Sequence, residues 1–318
     1  MVQDLNGKKV IIFGGSGFIG SHLISDLCKN SCQIEVVTRK LNIKSNHFFG
    51  NEPGQIKYKY IANYDQQTVD KLTLNADLVI NLIGILFETK KNSFEFAHTQ
   101  IPLMIAKACS KNKVRNFIHI SALNINKASD SSYAISKLNG EIRIKENFKN
   151  ALIIRPGVVF GKGDNFTNFF YKLSKFSPFL PLIGTPEIKT KKSFLPSVNF
   201  KKRVLFQPIY VGDLVDFIIA IIFLTSKTFE VTGPVICSFD EIFDDILETK
   251  KMKRLYIPIP FFLASLIAII LENLPYSLLT RDQIKLMKVD STSLKGIQTL
   301  KRYVKNPTSI KSMVDTYL

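Results

Sequence analysis

The chain has 318 residues, about twice a typical domain, so one large domain or two modest ones are expected. Hydrophobic residues make up 46% and charged residues 22% of the chain, which favours a packed core and excludes wholesale disorder. The formal net charge of +17 favours an anionic partner (a membrane surface, a nucleic acid or a phosphorylated small molecule), although the excess of lysine also suits simple solubility.

Strand-like apolar runs alternate with helical spacing through the first half of the chain. The predicted elements are strand 9–13, helix 18–29, strands 33–38, 56–62 and 77–83, helix 94–110, strand 116–121, helix 132–148 and strand 151–155. Strands separated by helices of this length indicate βαβ units. The sequence therefore predicts an α/β fold with a doubly wound parallel sheet.

The second half is less regular. Residues 185–205 are rich in lysine and have no clear period, which predicts a basic insertion or a loose hairpin. A helix is predicted at 211–224, and shorter helical segments follow Gly233. We expect a Rossmann domain over residues 1–230 and a small, mainly helical substrate or partner domain over residues 231–318.

Residues 261–271 form an uncharged apolar run that Pro260 and Glu272 bound. A membrane-spanning helix needs roughly 20 apolar residues, so no transmembrane helix is expected here. Two alternatives remain open, a buried core helix and an interfacial one. A basic run stands just before this segment, at Lys250, Lys251, Lys253 and Arg254. The pair of features suits an anionic lipid surface, and it equally suits a core helix with solvated flanking charges.

A glycine motif follows the first predicted strand. Gly14, Gly17 and Gly20 are spaced G-x-x-G-x-x-G at the start of a predicted helix. In such a motif the first glycine makes a tight turn, the second lets a pyrophosphate approach the backbone, and the third lets the helix pack on the sheet. The helix N-terminus then holds the anion. The motif predicts a dinucleotide site that includes Ser16, Phe18 and Ile19, whereas the alternative is a ligand-free turn.

The ends of the next strands predict which dinucleotide binds. An Asp or Glu after the second strand would favour NAD, but Arg39 and Lys40 stand there instead. Two cations favour a 2′-phosphate, and hence NADP(H) over NAD(H), unless they are only solvated charges. Asn63 is predicted to meet the adenine, and Asn81 and Gly84 to line the ribose side.

A second set of residues suits proton transfer. Tyr133 and Lys137 are spaced i, i+4 on a predicted helix, and Ser121 ends the strand before it. We expect the Lys137 cation to lower the pKa of Tyr133, so that the phenol exchanges protons while Ser121 bonds a carbonyl oxygen. The alternative is an amphipathic helix with a surface lysine.

Cysteine and histidine spacing gives no metal-site pattern, so no metal is predicted. His119 is expected to be a satisfied core histidine. The absence of a disulfide framework favours a reducing compartment, and the N-terminus resembles neither a signal nor a transit peptide. We therefore expect a cytoplasmic protein that is not secreted.

These residues together resemble the extended or atypical branch of the short-chain dehydrogenase/reductase superfamily, the NAD-dependent epimerase/dehydratase type. The stretches IIRPGVVFGKGDNFTNFF, FQPIYVGDL and LPYSLLTRDQIKLMKVD narrow the resemblance to one group. It contains the Rossmann-fold accessory subunit of respiratory complex I (alpha subcomplex subunit 9) and its bacterial relatives. The predicted cofactor residues are Gly14, Ser16, Gly17, Phe18, Ile19, Gly20, Arg39, Lys40, Asn63, Asn81, Gly84, Tyr133, Lys137 and Pro156.

The resemblance implies an NADPH-holding peripheral subunit of complex I whose nucleotide is structural. It also implies partners among the complex I subunits and a place on the inner face of a bacterial inner membrane. The alternative is an active NADPH-dependent reductase, epimerase or dehydratase that uses Ser121, Tyr133 and Lys137. Its substrate would belong to a quinone pathway, to lipids or to sugar nucleotides. Nucleic-acid binding is disfavoured because no recognised module is present.

Overall fold

The computed structural model describes residues 5–39, 53–189, 197–273 and 278–318. Its strands, numbered along the chain, are β1 (Lys9–Phe13), β2 (Gln33–Thr38), β3 (Ile56–Tyr60), β4 (Leu78–Asn81), β5 (Asn116–Ile120), β6 (Leu152–Pro156), β7 (Val159–Phe160), β8 (Phe179–Lys189), β9 (Ser197–Lys202), β10 (Leu205–Phe206), β11 (Ile209–Tyr210), β12 (Thr228–Val231), β13 (Cys237–Ser238) and β14 (Leu255–Pro260).

The helices are α1 (Phe18–Leu27), α2 (Gln66–Leu72), α3 (Ile101–Lys111), α4 (Ser132–Asn147), α5 (Thr167–Phe176), α6 (Val211–Ile221), α7 (Phe239–Thr249), α8 (Phe261–Leu271), α9 (Arg281–Met287), α10 (Leu294–Lys301) and α11 (Ile310–Tyr317). A π-helical turn, Phe96–Gln100, leads directly into α3. Among the described residues no helix has the length and apolar character needed to cross a membrane.

A seven-stranded parallel sheet organises the first two thirds of the chain. Its strand order is β12-β6-β5-β4-β1-β2-β3, so the chain winds outward in both directions from β1 and β4. One apolar cluster packs α1 and α6 on one face of the sheet. A second cluster packs α2, α3 and α4 on the other face. The predicted doubly wound Rossmann fold is confirmed. The βα turns after β1 and β4 lie side by side at the carboxyl ends of the parallel strands.

The remaining segments build a second region around an aromatic cluster. Phe160, Phe206, Phe239 and Phe243 are buried in it, and α7 packs there against α11. The helical C-terminal region is confirmed. A small sheet of order β14-β8-β9 adjoins it. Within the predicted basic insertion, β8 and β9 pair antiparallel, as in the hairpin alternative, and residues 190–196 lie outside the described residues. Because β8 pairs with β14, the two regions interleave, and a domain boundary at residue 230 stays a prediction.

Helix α8 was predicted to be either a buried core helix or an interfacial one, and its burial excludes the first. It has the predicted bounds, but only Ala264 and Ala268 among its residues are buried. These alanines pack against Ile284 of α9. The core-helix alternative is therefore wrong, because the two alanines face the protein while five of the large apolar side chains of α8 are exposed.

Candidate functional site

The turn between β1 and α1 has the geometry of a phosphate cradle. Gly14 has a φ of +77°, a conformation that disfavours residues with a side chain. A Cβ on Gly20 would lie 2.4 Å from the carbonyl oxygen of Gly15, so only glycine permits this approach of α1 to the turn. Helix α1 begins after Gly17 without a side-chain cap, which leaves its first N–H groups free for an anion. A pyrophosphate fits this arrangement.

Ser16, Phe18 and Ile19 lie in the same turn and the first turn of α1, partly buried beside the exposed Gly17. A Cβ on Gly14 would lie 3.0 Å from the backbone nitrogen of Ile83, which places the loop after β4 against the cradle. The predicted glycine-motif residues are thus together at the sheet edge where dinucleotides bind in such folds.

Asn81 shapes the loop after β4 through its side chain. Its Nδ2 lies 3.0 Å from Nδ1 of His119, and its Oδ1 accepts a hydrogen bond of 3.1 Å from the backbone N–H of Ile83. The Asn81 side chain is fully buried, so its predicted contact with a cofactor ribose stays a prediction. His119 is a core histidine, as expected, but its Nε2 has no partner among the described residues. Burial lowers its pKa well below the ordinary value, which keeps the ring neutral.

Two of the three residues predicted for the adenosine end are described. Arg39 is exposed directly after β2, and its guanidinium donates a hydrogen bond of 2.7 Å to Oδ1 of Asn92. Asn63 is exposed after β3, the neighbouring strand. Lys40 lies outside the described residues. The described pair therefore lies beyond the carboxyl ends of adjacent strands, where the ribose of a dinucleotide is held in this fold.

Helix α4 brings Lys137 to the end of β5. The Lys137 ammonium donates a hydrogen bond of 3.2 Å to the carbonyl oxygen of Ile120. A Cβ on Gly84 would lie 3.3 Å from Lys137 Nζ, so the loop after β4 passes directly over this amine. Glu141, one turn further along α4, is already held by Arg155 through hydrogen bonds of 2.8 and 2.6 Å. Lys137 is thus a buried cation whose nearest acid is engaged elsewhere.

Ser121 follows β5 beside this amine. Its backbone N–H donates to the carbonyl oxygen of Ile154 at 2.7 Å, while its buried Oγ has no partner among the described residues. A buried hydroxyl without a partner costs free energy, and such groups frequently mark a ligand position. Pro156 ends the adjacent strand β6 and accepts a hydrogen bond from the Leu123 N–H at 2.9 Å. The predicted set therefore surrounds the end of β5.

The ionisation of Tyr133 differs from the sequence expectation. Burial, and after it the negative charge of Asp282, raises the pKa of Tyr133 to about 12. Burial lowers the pKa of Lys137 to about 8, against the opposing effect of Glu141. The expectation that Lys137 lowers the pKa of Tyr133 is wrong because burial and Asp282 dominate. At neutral pH the phenol is protonated and is a hydrogen-bond donor.

His98 belongs to this site although its spacing gave no sign of it. It lies in the π-helical turn, where its Nε2 accepts a hydrogen bond from the Ile85 N–H at 3.0 Å and its Nδ1 lies 2.9 Å from Ser136 Oγ. Its ring meets that of Tyr133 edge to face, with centroids 5.1 Å apart. Burial, then Lys137, lowers the pKa of His98 to about 2, so the neutral ring joins the loop after β4 to α4.

Asp282 is the second functional residue that the sequence did not reveal. Its carboxylate accepts hydrogen bonds from Ser131 Oγ at 2.8 Å, from the Ser132 N–H at 2.7 Å and from the Tyr133 N–H at 3.1 Å. A carboxylate at a helix N-terminus satisfies free N–H groups and complements the helix dipole. Asp282 thereby fixes the first turn of α4. The T-x-x-Q pattern at 280–283 marks the start of α9 but cannot show what Asp282 contacts.

A cavity of about 470 Å³ opens beside the start of α4. The loop after β4, α4 and the C-terminal region line it with Phe87, Glu88, Phe94, Ser132, Glu272, Thr280, Arg281, Asp282 and Lys285. Two of these residues form an ion pair, since the Arg281 guanidinium lies 2.6 Å from the Glu272 carboxylate. Charged groups of both signs therefore line the cavity next to the first turn of α4.

Comparison with known proteins decides the family. The model of the NAD dependent epimerase/dehydratase family matches residues 10–223. This chain belongs to that family. It is 28% identical over 307 residues to NADH dehydrogenase [ubiquinone] 1 alpha subcomplex subunit 9 of Mus musculus, a match that covers 94% of the chain and 77% of that protein. It is also 27% identical over 184 residues to a ceramide reductase of Caulobacter vibrioides, which covers 58% of this chain and 56% of the relative.

Solved structures share the fold of this epimerase/dehydratase-family chain. The triphenylmethane reductase of a Citrobacter species, complexed with NADP(H), has a TM-score of 0.72 at 14% identity, with 97% of this chain and all of that chain (100%) covered. The UDP-glucuronic acid 4-epimerase of Bacillus cereus, in complex with NAD, has a TM-score of 0.61 at 19% identity. The match covers 79% of this chain and 88% of that chain. The fold of this chain is therefore one that holds NAD in some proteins and NADP(H) in others.

The buried cation leads to a prediction on stability. At pH 7, below both its folded and its unfolded pKa, Lys137 carries a charge that burial penalises. We expect Lys137→Met to raise the free energy of unfolding there by about 2 kcal/mol, after the lost hydrogen bond is subtracted. In the wild-type chain the free energy of unfolding rises between about pH 8 and the ordinary value of 10.5, because the unfolded chain keeps the Lys137 proton there and the folded chain has lost it. Urea denaturation of both proteins at pH 7 and pH 9.5 measures this effect. A difference in the free energy of unfolding between variant and wild type that is the same at both pH values would contradict it.

The cap on α4 leads to a second prediction. We expect Asp282→Asn to lower the free energy of unfolding by about 1–2 kcal/mol, because it removes the charge from three bonds at the helix N-terminus. Asp315→Asn is the matched control, since the Asp315 side chain is 77% exposed and forms a long ion pair of 3.7 Å with Lys250. Urea denaturation of both variants checks this, and equal losses would contradict the capping role.

Proposed function

We propose that this chain binds NADP(H) and serves as a peripheral accessory or assembly subunit of respiratory complex I, with the nucleotide as a structural group. The observation that carries the proposal is the match to alpha subcomplex subunit 9 along 94% of the chain, which includes the C-terminal region as well as the Rossmann region. Asp282, in that C-terminal region, caps the helix of Tyr133 and Lys137. The partners are then complex I subunits and the adjoining membrane surface, on the inner face of a bacterial inner membrane.

The preference for NADP(H) over NAD(H) is supported by charge. Arg39 places an exposed guanidinium after β2, where NAD-selective folds have an acid that bonds the ribose hydroxyls. A guanidinium suits a 2′-phosphate, which accepts charge-assisted hydrogen bonds. Asn92, which already accepts from Arg39, orients this side chain. Lys40 would add a second positive charge.

The residues at the other end of the site suit the nicotinamide half of the nucleotide. The Lys137 ammonium lies under Gly84, where it can bond ribose hydroxyls and offset its desolvation. The Ser121 hydroxyl can gain a polar partner that the described protein does not supply. The domain over residues 1–230 would thus hold the nucleotide, and residues 231–318 would meet a substrate or a partner.

A second function, an NADPH-dependent reductase, epimerase or dehydratase, is favoured by the Ser121 hydroxyl. When bound, the nicotinamide supplies or takes up a hydride. Ser121 and the protonated Tyr133 would both donate hydrogen bonds to a substrate carbonyl oxygen, and Tyr133 would deliver the proton. Lys137 would favour the resulting phenolate by its charge. The similarity to a ceramide reductase agrees with a lipid substrate, and quinone-pathway or sugar-nucleotide substrates are further alternatives.

Purification of complex I from the native membrane separates the two functions. We expect mass spectrometry to find this chain in the complex in stoichiometric amount, with one NADP(H) for each copy. We expect Tyr133→Phe to assemble and to retain its nucleotide, because a structural nucleotide needs no proton from the phenol.

The opposite result would be a chain recovered apart from complex I, with an NADPH-oxidising activity that Tyr133→Phe abolishes. That result would contradict the accessory role and support the reductase. Tyr303→Phe serves as the control in both assays, because it makes the same change at an exposed tyrosine that follows α10.

A further inference from the structure

Helix α8 presents an apolar face to the outside of the molecule. Five large apolar side chains on it are exposed, from 40% for Leu263 to 72% for Ile270; the others are Phe262, Leu266 and Ile269. Spacings of three and four residues place them on one side of the helix, opposite the buried Ala264 and Ala268. A patch of this kind on a folded protein marks an interaction surface.

The apolar face continues onto the small sheet that precedes α8. Leu255 and Phe179 are directly paired across β14 and β8, and they are 66% and 46% exposed. Ile257 lies on the same side of β14 as Leu255 and is also exposed. Phe176, at the end of α5, is 88% exposed and stands three residues before Phe179. We call this set together with the exposed face of α8 the apolar face.

Basic side chains gather at the sheet end of the apolar face. Lys175 and Lys250 both approach the ring of Tyr171, with their amines 4.3 and 5.7 Å from its centroid. The Arg254 guanidinium donates a hydrogen bond of 2.7 Å to the carbonyl oxygen of Ser174, which joins the start of β14 to α5. Lys251 and Lys253 are exposed in the segment just before β14. Positive charge thus borders exposed Phe176 and Leu255.

We propose that the apolar face inserts into the interfacial region of a lipid bilayer and that the neighbouring cations bind anionic headgroups. An α8 of eleven residues is too short to span a bilayer, but its uncharged outer side suits a helix lying in the membrane plane. Cations beside an apolar face complement the negative surface of a membrane. This inference deepens the proposed peripheral location, and it can fail while nucleotide binding stands.

The absence of tryptophan from the sequence allows a direct test on the full chain. In Phe262→Trp the new side chain is the only indole, so its fluorescence reports on that position alone. Leu294→Trp is the matched control, because Leu294 is 72% exposed and Phe262 is 70% exposed. With vesicles of phosphatidylcholine and phosphatidylglycerol, we expect the emission of Phe262→Trp to shift to the blue and to be quenched by brominated acyl chains. We expect neither change in Leu294→Trp.

Vesicle binding by the native chain and by polar variants tests the same surface. We expect Ile270→Gln to weaken partitioning by about tenfold, because an apolar side chain no longer enters the interface, while Leu294→Gln changes it by less than about twofold. Lys251→Gln combined with Lys253→Gln is expected to weaken binding at low salt only, since about 1 M salt screens charges beyond roughly 3 Å.

Three outcomes would overturn the inference. One is equal quenching of both tryptophan variants, and another is equal binding to purely zwitterionic vesicles. The third is a dimer in sedimentation that Ile270→Gln dissociates while no variant binds vesicles, because a second copy would then cover the face. NADPH binding is measured on the same samples, so that loss of vesicle binding with intact nucleotide binding rejects this inference alone.

Discussion

The position of α4 is the constraint on which the candidate site depends. This helix places Tyr133 and Lys137 one turn apart, and three distant parts of the chain hold it. A Cβ on Gly140 would lie 1.9 Å from the His98 carbonyl oxygen, so only glycine permits the contact with the π-helical turn. Glu141 binds the Arg155 guanidinium in a largely buried pair. Asp282 caps the first turn from about 150 residues away.

The fixed helix also explains why an unfavourable charge is tolerated. Lys137 is held where burial lowers its pKa to about 8, and its nearest acid is committed to Arg155. A folded chain gains nothing in stability from such a cation. A nucleotide ribose that accepts its hydrogen bonds supplies a physical reason to keep it there. A polar group of the nucleotide would likewise satisfy the Ser121 hydroxyl, which has no partner among the described residues.

Local sequence patterns were sufficient to predict the elements whose contacts are with residues close by in the sequence. The glycine spacing at 14–20 and the i, i+4 pair on α4 each report one element and its own turn, and both elements form as predicted. The contacts of Asp282 and His98 depend on packing between distant segments, which no local period encodes. The ionisation of Tyr133 was wrongly predicted for the same reason, because its burial and Asp282 arise from tertiary structure. For α8 the composition gave two alternatives, and only the packing of Ala264 and Ala268 decided between them.

The C-terminal region connects the two surfaces to which the proposals assign function. Ile284 of α9 packs against Ala264 and Ala268 on the inner side of α8, whose outer side is the apolar face. Two residues earlier, Asp282 caps α4. A membrane contact through α8 would therefore be joined by one short helix to the residues that surround the nucleotide site. This arrangement suits a subunit that links a nucleotide-bound domain to a membrane surface.

Calorimetric titration of the purified full chain with NADPH and with NADH tests directly whether the chain holds NADP(H) through Arg39. We expect one site in each chain, tighter binding of NADPH than of NADH, and a loss of NADPH affinity by about tenfold or more in Arg39→Glu, with NADH affected less. Arg302→Glu, an exposed arginine on α10's C-terminal side, should bind as the wild-type chain does. Absence of binding, or equal affinities that Arg39→Glu leaves unchanged, would contradict it.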